Sequence, residues 1–342
     1  MKTILVTGGA GFIGSNFAEI ALLDGYRVIV LDSFTYAGHT ANLAFASVDP
    51  NFSLIKGDIC DTSLVFDLLQ RNNVDAVINF AAESHVDNSI AAPGVFIKTN
   101  VEGVYSMLEA SRRYCFNATS ECKQSFRFIQ VSTDEVYGSL ELEDPEKFSE
   151  ISQYKPSSPY SASKAAGDHL AHAWFKTYGL STIITNCSNN YGPRQFPEKL
   201  IPCMIACALK GKKLPVYGDG KNVRDWIHVH DHAHGILLAL NKGIPGETYC
   251  FGGRAEVQNI DLVSQLCSIL DELKPQSDGV PYIKNITFVT DRAGHDRRYA
   301  IDDSKAENNL GFIRKYNFTS GLKDTVKWYL DNQDWCMEVS GI

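Results

Sequence analysis

The chain contains no apolar run approaching the ~20 residues of a membrane-spanning helix, which argues against a helical integral membrane protein. It has no Cys-x-x-Cys pair. Its nine cysteines are an odd number scattered from Cys60 to Cys336, so neither a disulfide framework nor a zinc ribbon is suggested, and buried reduced thiols are expected. Excess positive charge is also missing. A formal charge of −8 excludes the basic footprint of a nucleic-acid-binding protein, so any anionic ligand must find a local cluster of cations. There is no internal repeat, low-complexity tract or flexible linker. The opening Met1–Gly9 breaks into glycines too early for a signal peptide, and a cytoplasmic location is expected.

What the chain does have is an ordinary globular composition, 44% hydrophobic and 21% charged over 342 residues, enough for two domains. Through the first half, short apolar runs alternate with amphipathic stretches, the pattern of βα units around a parallel sheet. The pattern predicts strands at Thr3–Thr7, Arg27–Leu31, Ser53–Lys56, Ala76–Phe80, Arg127–Ser132 and Thr182–Asn186. Helices are expected at Phe12–Leu23, Thr62–Arg71, Gly94–Tyr114 and Tyr160–Tyr178. After Asn186 the alternation fades. Helices are expected there at Leu200–Lys210, Asp231–Asn241, Ile260–Leu273 and Ser320–Asn332, with short strands at Leu214–Tyr217, Thr248–Phe251 and Thr287–Val289. The expected fold class is α/β, a Rossmann-type doubly wound parallel sheet (1–186) with a smaller α/β substrate-binding domain (187–342), some segments of which can return to the first.

Gly8-Gly9-Ala10-Gly11-Phe12-Ile13-Gly14 follows the first strand and opens the first helix. In that context Gly8 permits the tight turn, Gly11 lets a pyrophosphate approach the backbone, and Gly14 lets helix and strand pack closely. The helix N-terminus offers N–H groups and a favourable dipole to phosphates. Asp32, ending the second strand, stands where an acid accepts hydrogen bonds from an adenosine ribose, and its charge would repel a 2′-phosphate. NAD is therefore the expected cofactor. Asp58 and Ile59, after the third strand, are candidates to seat the adenine.

Tyr160 and Lys164 share one face of a helix, where the cation can lower the phenol's pKa of about 10 and make it a usable base. Ser158 is a plausible N-cap and Pro159 the first helical residue. Upstream, Ser132-Thr133-Asp134-Glu135 ends a strand, the place where open α/β sheets bind ligands. Two adjoining acids exceed what alcohol oxidation needs, so a second chemical event is implied. Downstream, His228-Val229-His230-Asp231-His232-Ala233-His234 places four imidazoles at alternate positions. It crosses from a strand into a helix near Asp231, so the rings should not converge on one point, and no metal is expected.

Tyr-x-x-x-Lys with this glycine motif resembles the extended short-chain dehydrogenase/reductases, and most of all the dTDP-glucose 4,6-dehydratase family. The similarity runs nearly end to end, through Ala81–Asp87, Ser132–Gly138, Tyr160–Ala165, Asn186–Pro193, Phe196–Pro202, Arg224–Trp226 and Asp291–Asp302. The adjoining Thr-Asp-Glu separates dehydratases from epimerase and decarboxylase relatives. The resemblance implies that Tyr160, with Lys164, takes the proton from the hydroxyl at sugar carbon 4 while Thr133 holds that hydroxyl. Glu135 is then the base at carbon 5 and Asp134 the acid for the hydroxyl leaving carbon 6. It also implies cofactor contacts at Phe12, Ile13, Ala81, Thr99 and Asn190, and a substrate pocket of Ser84, Asn189, Lys199, Leu200, Tyr217, Arg224, Asn259, Arg292 and His295.

Arg224 and Arg292 answer the need for local positive charge and could clamp a pyrophosphate, whereas Arg297 and Arg298 are expected in surface salt bridges. The resemblance further implies a homodimer in which Gly94–Tyr114 and Tyr160–Tyr178 pair as a four-helix bundle. The nucleotide stays open between dTDP-glucose and a UDP-linked hexose or N-acetylhexosamine. A non-catalytic NAD-binding regulator is the alternative of another class.

Overall fold

A computed structural model describes residues 1–117, 125–292 and 294–340. Cys122 lies outside them, and the eight described cysteines are free thiols, three buried and five partly buried. The first half builds β1 (Thr3–Thr7), α1 (Phe12–Leu23), β2 (Arg27–Asp32), β3 (Phe52–Lys56), α2 (Thr62–Arg71) and β4 (Ala76–Asn79). Next come α3 (Val86–Ala91), α4 (Pro93–Ile97), α5 (Val104–Asn117), β5 (Arg127–Thr133), α6 (Pro159–Tyr178) and β6 (Thr182–Cys187). The remainder adds β7 (Asn189–Tyr191), α7 (Leu200–Leu209), β8 (Leu214–Tyr217), β9 (Val223–His228), α8 (Val229–Lys242) and β10 (Thr248–Phe251). It closes with β11 (Glu256–Gln258), α9 (Asn259–Leu273), β12 (Ile286–Val289), α10 (Ser304–Leu310), α11 (Phe318–Asp331) and α12 (Gln333–Ser340).

Seven strands form one parallel sheet in the order β10-β6-β5-β4-β1-β2-β3. Its central strands are apolar on both faces because both faces are covered. All five residues of β1 and all four of β4 are buried, whereas edge strand β3 is only partly buried. On one side α1 and α8 pack with Phe17, Ala18, Ile236 and Leu240. On the other, α2, α5 and α6 contribute Val65, Leu69, Met107, Leu108 and Ala171. The strand order reverses between β1 and β4, which opens a crevice at the carboxyl ends of the strands.

Strand β10 joins the large sheet beside β6, although it follows the chain's departure into the second region. That region has its own core, with Ile201, Met204, Leu262, Leu266, Leu322 and Val326 fully or almost fully buried. Its strands form a three-stranded sheet β11-β9-β7 and the pair β12-β8. Among the described residues no helix is long and apolar enough to cross a membrane.

The helix expected over Gly94–Tyr114 is interrupted. Residues Lys98–Gly103 form a π-helical turn between α4 and α5. The buried Asn100 side chain there accepts from the backbone N–H of Glu83 at 2.9 Å and donates to its carbonyl at 3.0 Å and to the Ser163 hydroxyl at 2.8 Å. This turn stitches the segment after β4 to α6, a tertiary demand that apolar periodicity does not encode. The helix expected from Asp231 begins at Val229, because His228 caps it by accepting from the His230 N–H at 3.2 Å.

Candidate active site

The strand ends converge on a cavity of about 800 Å³. Its lining includes the glycine loop (Gly8, Gly11, Phe12, Ile13, Gly14), Asp32, Asp58, Ile59, Ala81 and Thr99. Thr133, Asp134, Glu135, Tyr160 and Lys164 line it as well. So do Ser84, Asn189, Asn190, Lys199, Leu200, Tyr217, Arg224, Asn259, Arg292 and His295. Every residue singled out from the sequence as a site candidate therefore faces one chamber, drawn from positions as distant as 8 and 295.

The glycine loop is shaped for close approach. Gly8 has φ +64°, and a Cβ there would lie 2.7 Å from the Ala81 nitrogen. A Cβ on Gly14 would lie 2.3 Å from the Gly8 carbonyl oxygen. Gly11 is the N-cap of α1, so no side chain competes for the first N–H groups of that helix. Buried Asp32 accepts from the N–H of Ala10 at 2.9 Å and of Phe34 at 2.8 Å, which braces the turn and leaves further lone pairs on the carboxylate. These features fit a dinucleotide.

Thr133 ends β5 and caps a short 3₁₀ turn, Asp134–Tyr137, by accepting from the Glu135 N–H at 3.3 Å. Asp134 is 2% exposed, and its Oδ2 has no hydrogen-bond partner among the described residues. Burial, then the charge of Glu135, holds its carboxyl well above the usual range, so it keeps its proton. Glu135 is only partly buried on the cavity wall. Burial raises it too, but Lys199, Arg292 and Arg224 all oppose that rise and favour the carboxylate. One acid and one base thus stand side by side.

Ser158 and Ser161 form a capping box at the start of α6, with Pro159 in the first turn, and this presents Tyr160 and Lys164 to the same chamber. The surrounding protein groups do not acidify the phenol. Burial, reinforced by Glu135 and Cys187, holds Tyr160 well above its usual range, while a hydrogen bond with Thr133 works the other way. Lys164 donates to the Val131 carbonyl at 2.7 Å, which uses one of the three donors of its ammonium and anchors it beside the end of β5.

Arg224 is 5% exposed, lies over the Tyr299 ring at 4.2 Å, and donates to the carbonyls of Val223 at 2.8 Å and Asp296 at 2.9 Å. Lys199 donates to the Ser84 carbonyl at 2.7 Å. Asn189 Oδ1, Asn259 Oδ1 and Arg292 Nε are buried without hydrogen-bond partners among the described residues, as expected of groups awaiting a polar ligand. Arg297 makes the expected exposed pair with Asp219 at 2.9 and 3.0 Å. Arg298 does not lie on the surface. It is 7% exposed, paired with Glu256 and bonded to the carbonyls of Asp144 and Glu146, an anchor for the loop after Gly138.

The rings of His228 and His230 meet edge-on at 5.0 Å and share Tyr316, while His232 turns to another partner. His228 stacks on Tyr316 at 3.7 Å, His230 meets Tyr316 and Asn16, and His232 bonds the Asn190 amide oxygen at 2.9 Å. Sequence reasoning passed over Glu83, His85, Glu198 and Tyr299, which also line the chamber, and Tyr36, whose hydroxyl donates to Glu198 at 3.2 Å. The Phe196-Pro-Glu-Lys segment was the available signal for Glu198. The Asp291–Asp302 segment was the available signal for Tyr299.

A family profile described as GDP-mannose 4,6 dehydratase matches residues 5–325. A dTDP-glucose 4,6-dehydratase of Xanthomonas campestris is 55% identical over 99% of this chain and 96% of its own length. The dTDP-glucose 4,6-dehydratase of Streptomyces venezuelae, solved with NAD and dTDP bound, superposes with a TM-score of 0.90 at 44% identity, covering 99% of this chain and 100% of that one. The enzyme of that name from Bacillus anthracis, solved with NAD, gives a TM-score of 0.87 at 44% identity with the same coverage. With the glycine loop, the helical Tyr–Lys pair and the neighbouring acids gathered in one chamber, the chain belongs to the dTDP-glucose 4,6-dehydratase family of extended short-chain dehydrogenase/reductases.

Proposed function

We propose that the chain converts dTDP-glucose to dTDP-4-keto-6-deoxyglucose and water, as a hydro-lyase with a resident NAD. The observation that carries this reading is the placing of two adjacent carboxyls, buried Asp134 and chamber-facing Glu135, with Tyr160 in one cavity. A bound NAD would supply a hydride acceptor for sugar carbon 4 and the hydride source for carbon 6. Gly8, Gly11, Gly14 and the start of α1 hold its pyrophosphate, and Asp32 its ribose.

Tyr160 takes the proton of the 4-hydroxyl while Thr133 holds that oxygen. Lys164, one helical turn on, and the charge of a bound nicotinamide together favour the phenol's ionised form. Glu135 then removes the proton at carbon 5, acidified by the new ketone, and Asp134 protonates the hydroxyl departing from carbon 6. Glu135 returns its proton to carbon 5. Arg224 and Arg292 meet the pyrophosphate, supported by Ser84, Asn189, Lys199, Leu200, Tyr217, Asn259 and His295.

Residues 1–186 serve as the cofactor half and 187–342 as the sugar-nucleotide half, with Val229–Lys242 and Thr248–Phe251 packed into the first. The protein works in the cytoplasm as a homodimer. Partly exposed Val95, Ile97, Tyr105 and Tyr178 along α4–α6 (45–50% exposed) supply the apolar surface of a four-helix bundle. Incubation with dTDP-glucose and no added NAD, followed by mass measurement, tests the activity: loss of one water is expected. An unchanged mass beside conversion of a UDP-linked hexose would transfer the activity to that substrate.

A further inference from the structure

Behind the cavity wall lies a carboxylate that no motif singled out. Asp168 is 1% exposed and sits one turn after Lys164 on α6, outside the cavity lining. Its Oδ2 accepts hydrogen bonds from the Ser132 hydroxyl at 2.6 Å and the Tyr154 hydroxyl at 3.1 Å. Lys164 bonds the carbonyl of Val131, the residue before Ser132. Two consecutive residues of β5 are thereby tied to two consecutive turns of α6. The next residue along β5 is Thr133, followed by the two acids.

A buried ammonium with no compensating charge tends to give up its proton. Burial holds Lys164 below the usual lysine range, and Asp168 is the foremost group opposing that, followed by the Cys187 thiol on β6. Around Asp168 itself stand Lys164 on its own helix, Ser132 on β5, Tyr154 in the loop before α6 and Asn186 on β6. Burial raises the carboxyl and all four of these groups pull it down, which leaves it at about 6. At neutral pH Asp168 is therefore charged, and the Tyr–Lys pair extends into a Tyr–Lys–Asp series on successive turns of one helix.

We propose that Asp168 is a positioning residue that keeps Lys164 protonated and holds the acid-bearing end of β5 in register with the helix that carries Tyr160. The role in catalysis rests on the dehydratase reading, whereas the charge relation does not. The first test accordingly needs no turnover. In protein labelled with ¹³C at the lysine ε-carbons, the Lys164 resonance, assigned by its absence in Lys164→Met, is titrated by NMR.

Asp168→Asn keeps the size and an acceptor for Ser132 and Tyr154, and should lower the Lys164 midpoint by about one pH unit or more. An unmoved midpoint overturns the proposal. In turnover, the alkaline limb of kcat/KM should move down by a similar amount with KM unchanged at neutral pH, and Asp168→Glu should restore part of it. A loss of kcat uniform across pH would mark a merely structural role and equally overturn the proposal. Wild-type protein that leaves dTDP-glucose untouched would sink the dehydratase reading, with the lysine titration still deciding the role of Asp168. If Asp168→Asn does not fold, Tyr154→Phe carries the test. It removes a donor that favours the carboxylate, so the acid limb should move to higher pH, and a stationary limb overturns the proposal.

Discussion

One peptide unit separates Asp134 from Glu135, yet their surroundings drive them apart: Asp134 is sealed from solvent beside a like charge, whereas Glu135 faces the chamber and three cations. Replacing either by its amide, Asp134→Asn or Glu135→Gln, is expected to slow water loss by ~10²–10⁴ while NAD stays bound, read by product mass and by cofactor absorbance. Asp134 also carries a stability signature. Its folded carboxyl keeps the proton to higher pH than the unfolded one, so its contribution is complete below about pH 4 and is lost as pH rises through the folded value. Asp134→Asn should thus melt higher than wild type at pH 8, with the gap closing toward pH 4 in a thermal-denaturation series; a constant gap would contradict the buried, neutral assignment. Tyr160→Phe should abolish the transient absorbance of reduced nicotinamide. The identities of these residues were legible in the sequence and the family resemblance implied their acid and base roles, but the burial of Asp134 and the gathering of Lys199, Arg224 and Arg292 around Glu135 were not, because those groups are far along the chain.

At the scale of elements, the site depends on where a few helices begin. Ser158 accepts from the Ser161 N–H at 3.1 Å and fixes the first turn of α6. Ser158→Ala should cost about 1 kcal/mol in urea denaturation and displace Tyr160 enough to lower kcat. The start of α1 is governed by packing instead. Gly14→Ala would press a methyl against the Gly8 carbonyl and the Gly9 Cα, 2.3 and 2.8 Å away, so a loss of about 1–3 kcal/mol and of co-purifying NAD is expected. Retention of full NAD content would show that the loop can relax.

The βα units and both of these helix starts could be read from periodicity and capping residues. Short elements could not. Helix α3 and the three-residue strand β7 carry too few residues for a period to emerge, and β9, read only as a strand leading into the helix near Asp231, owes its place to pairing with β7 and β11. The π-turn at Lys98–Gly103 escaped for another reason, since Asn100 answers to Glu83 and Ser163 rather than to its own helix.

For the whole molecule, the partly exposed apolar side chains on α4–α6 predict a dimer in sedimentation at micromolar concentration. Tyr105→Glu, which puts a charge on that surface, should shift the equilibrium toward monomer; an unaltered sedimentation coefficient would move the interface elsewhere. The chain also crosses between its two halves more than once. Strand β10 completes the large sheet after β9 has served the small one, and α8 covers the face that α1 leaves open. Aromatic contact across the cavity, with His39 stacked on Phe196 at 5.6 Å, joins the segment after β2 to the one before α7.

By itself the amino-acid sequence determined the parallel βα architecture, the dinucleotide loop and the types of residue able to carry an oxidation with elimination, because hydrophobic period, glycine placement and functional groups are local properties. Only the tertiary structure decided that Asp134 is sealed from solvent while Glu135 faces the chamber, that Lys164 is anchored to the Val131 carbonyl, and that Arg298 is a buried anchor. Those outcomes are set by desolvation and by charges brought together from opposite ends of the chain, and neither exists until the chain has folded.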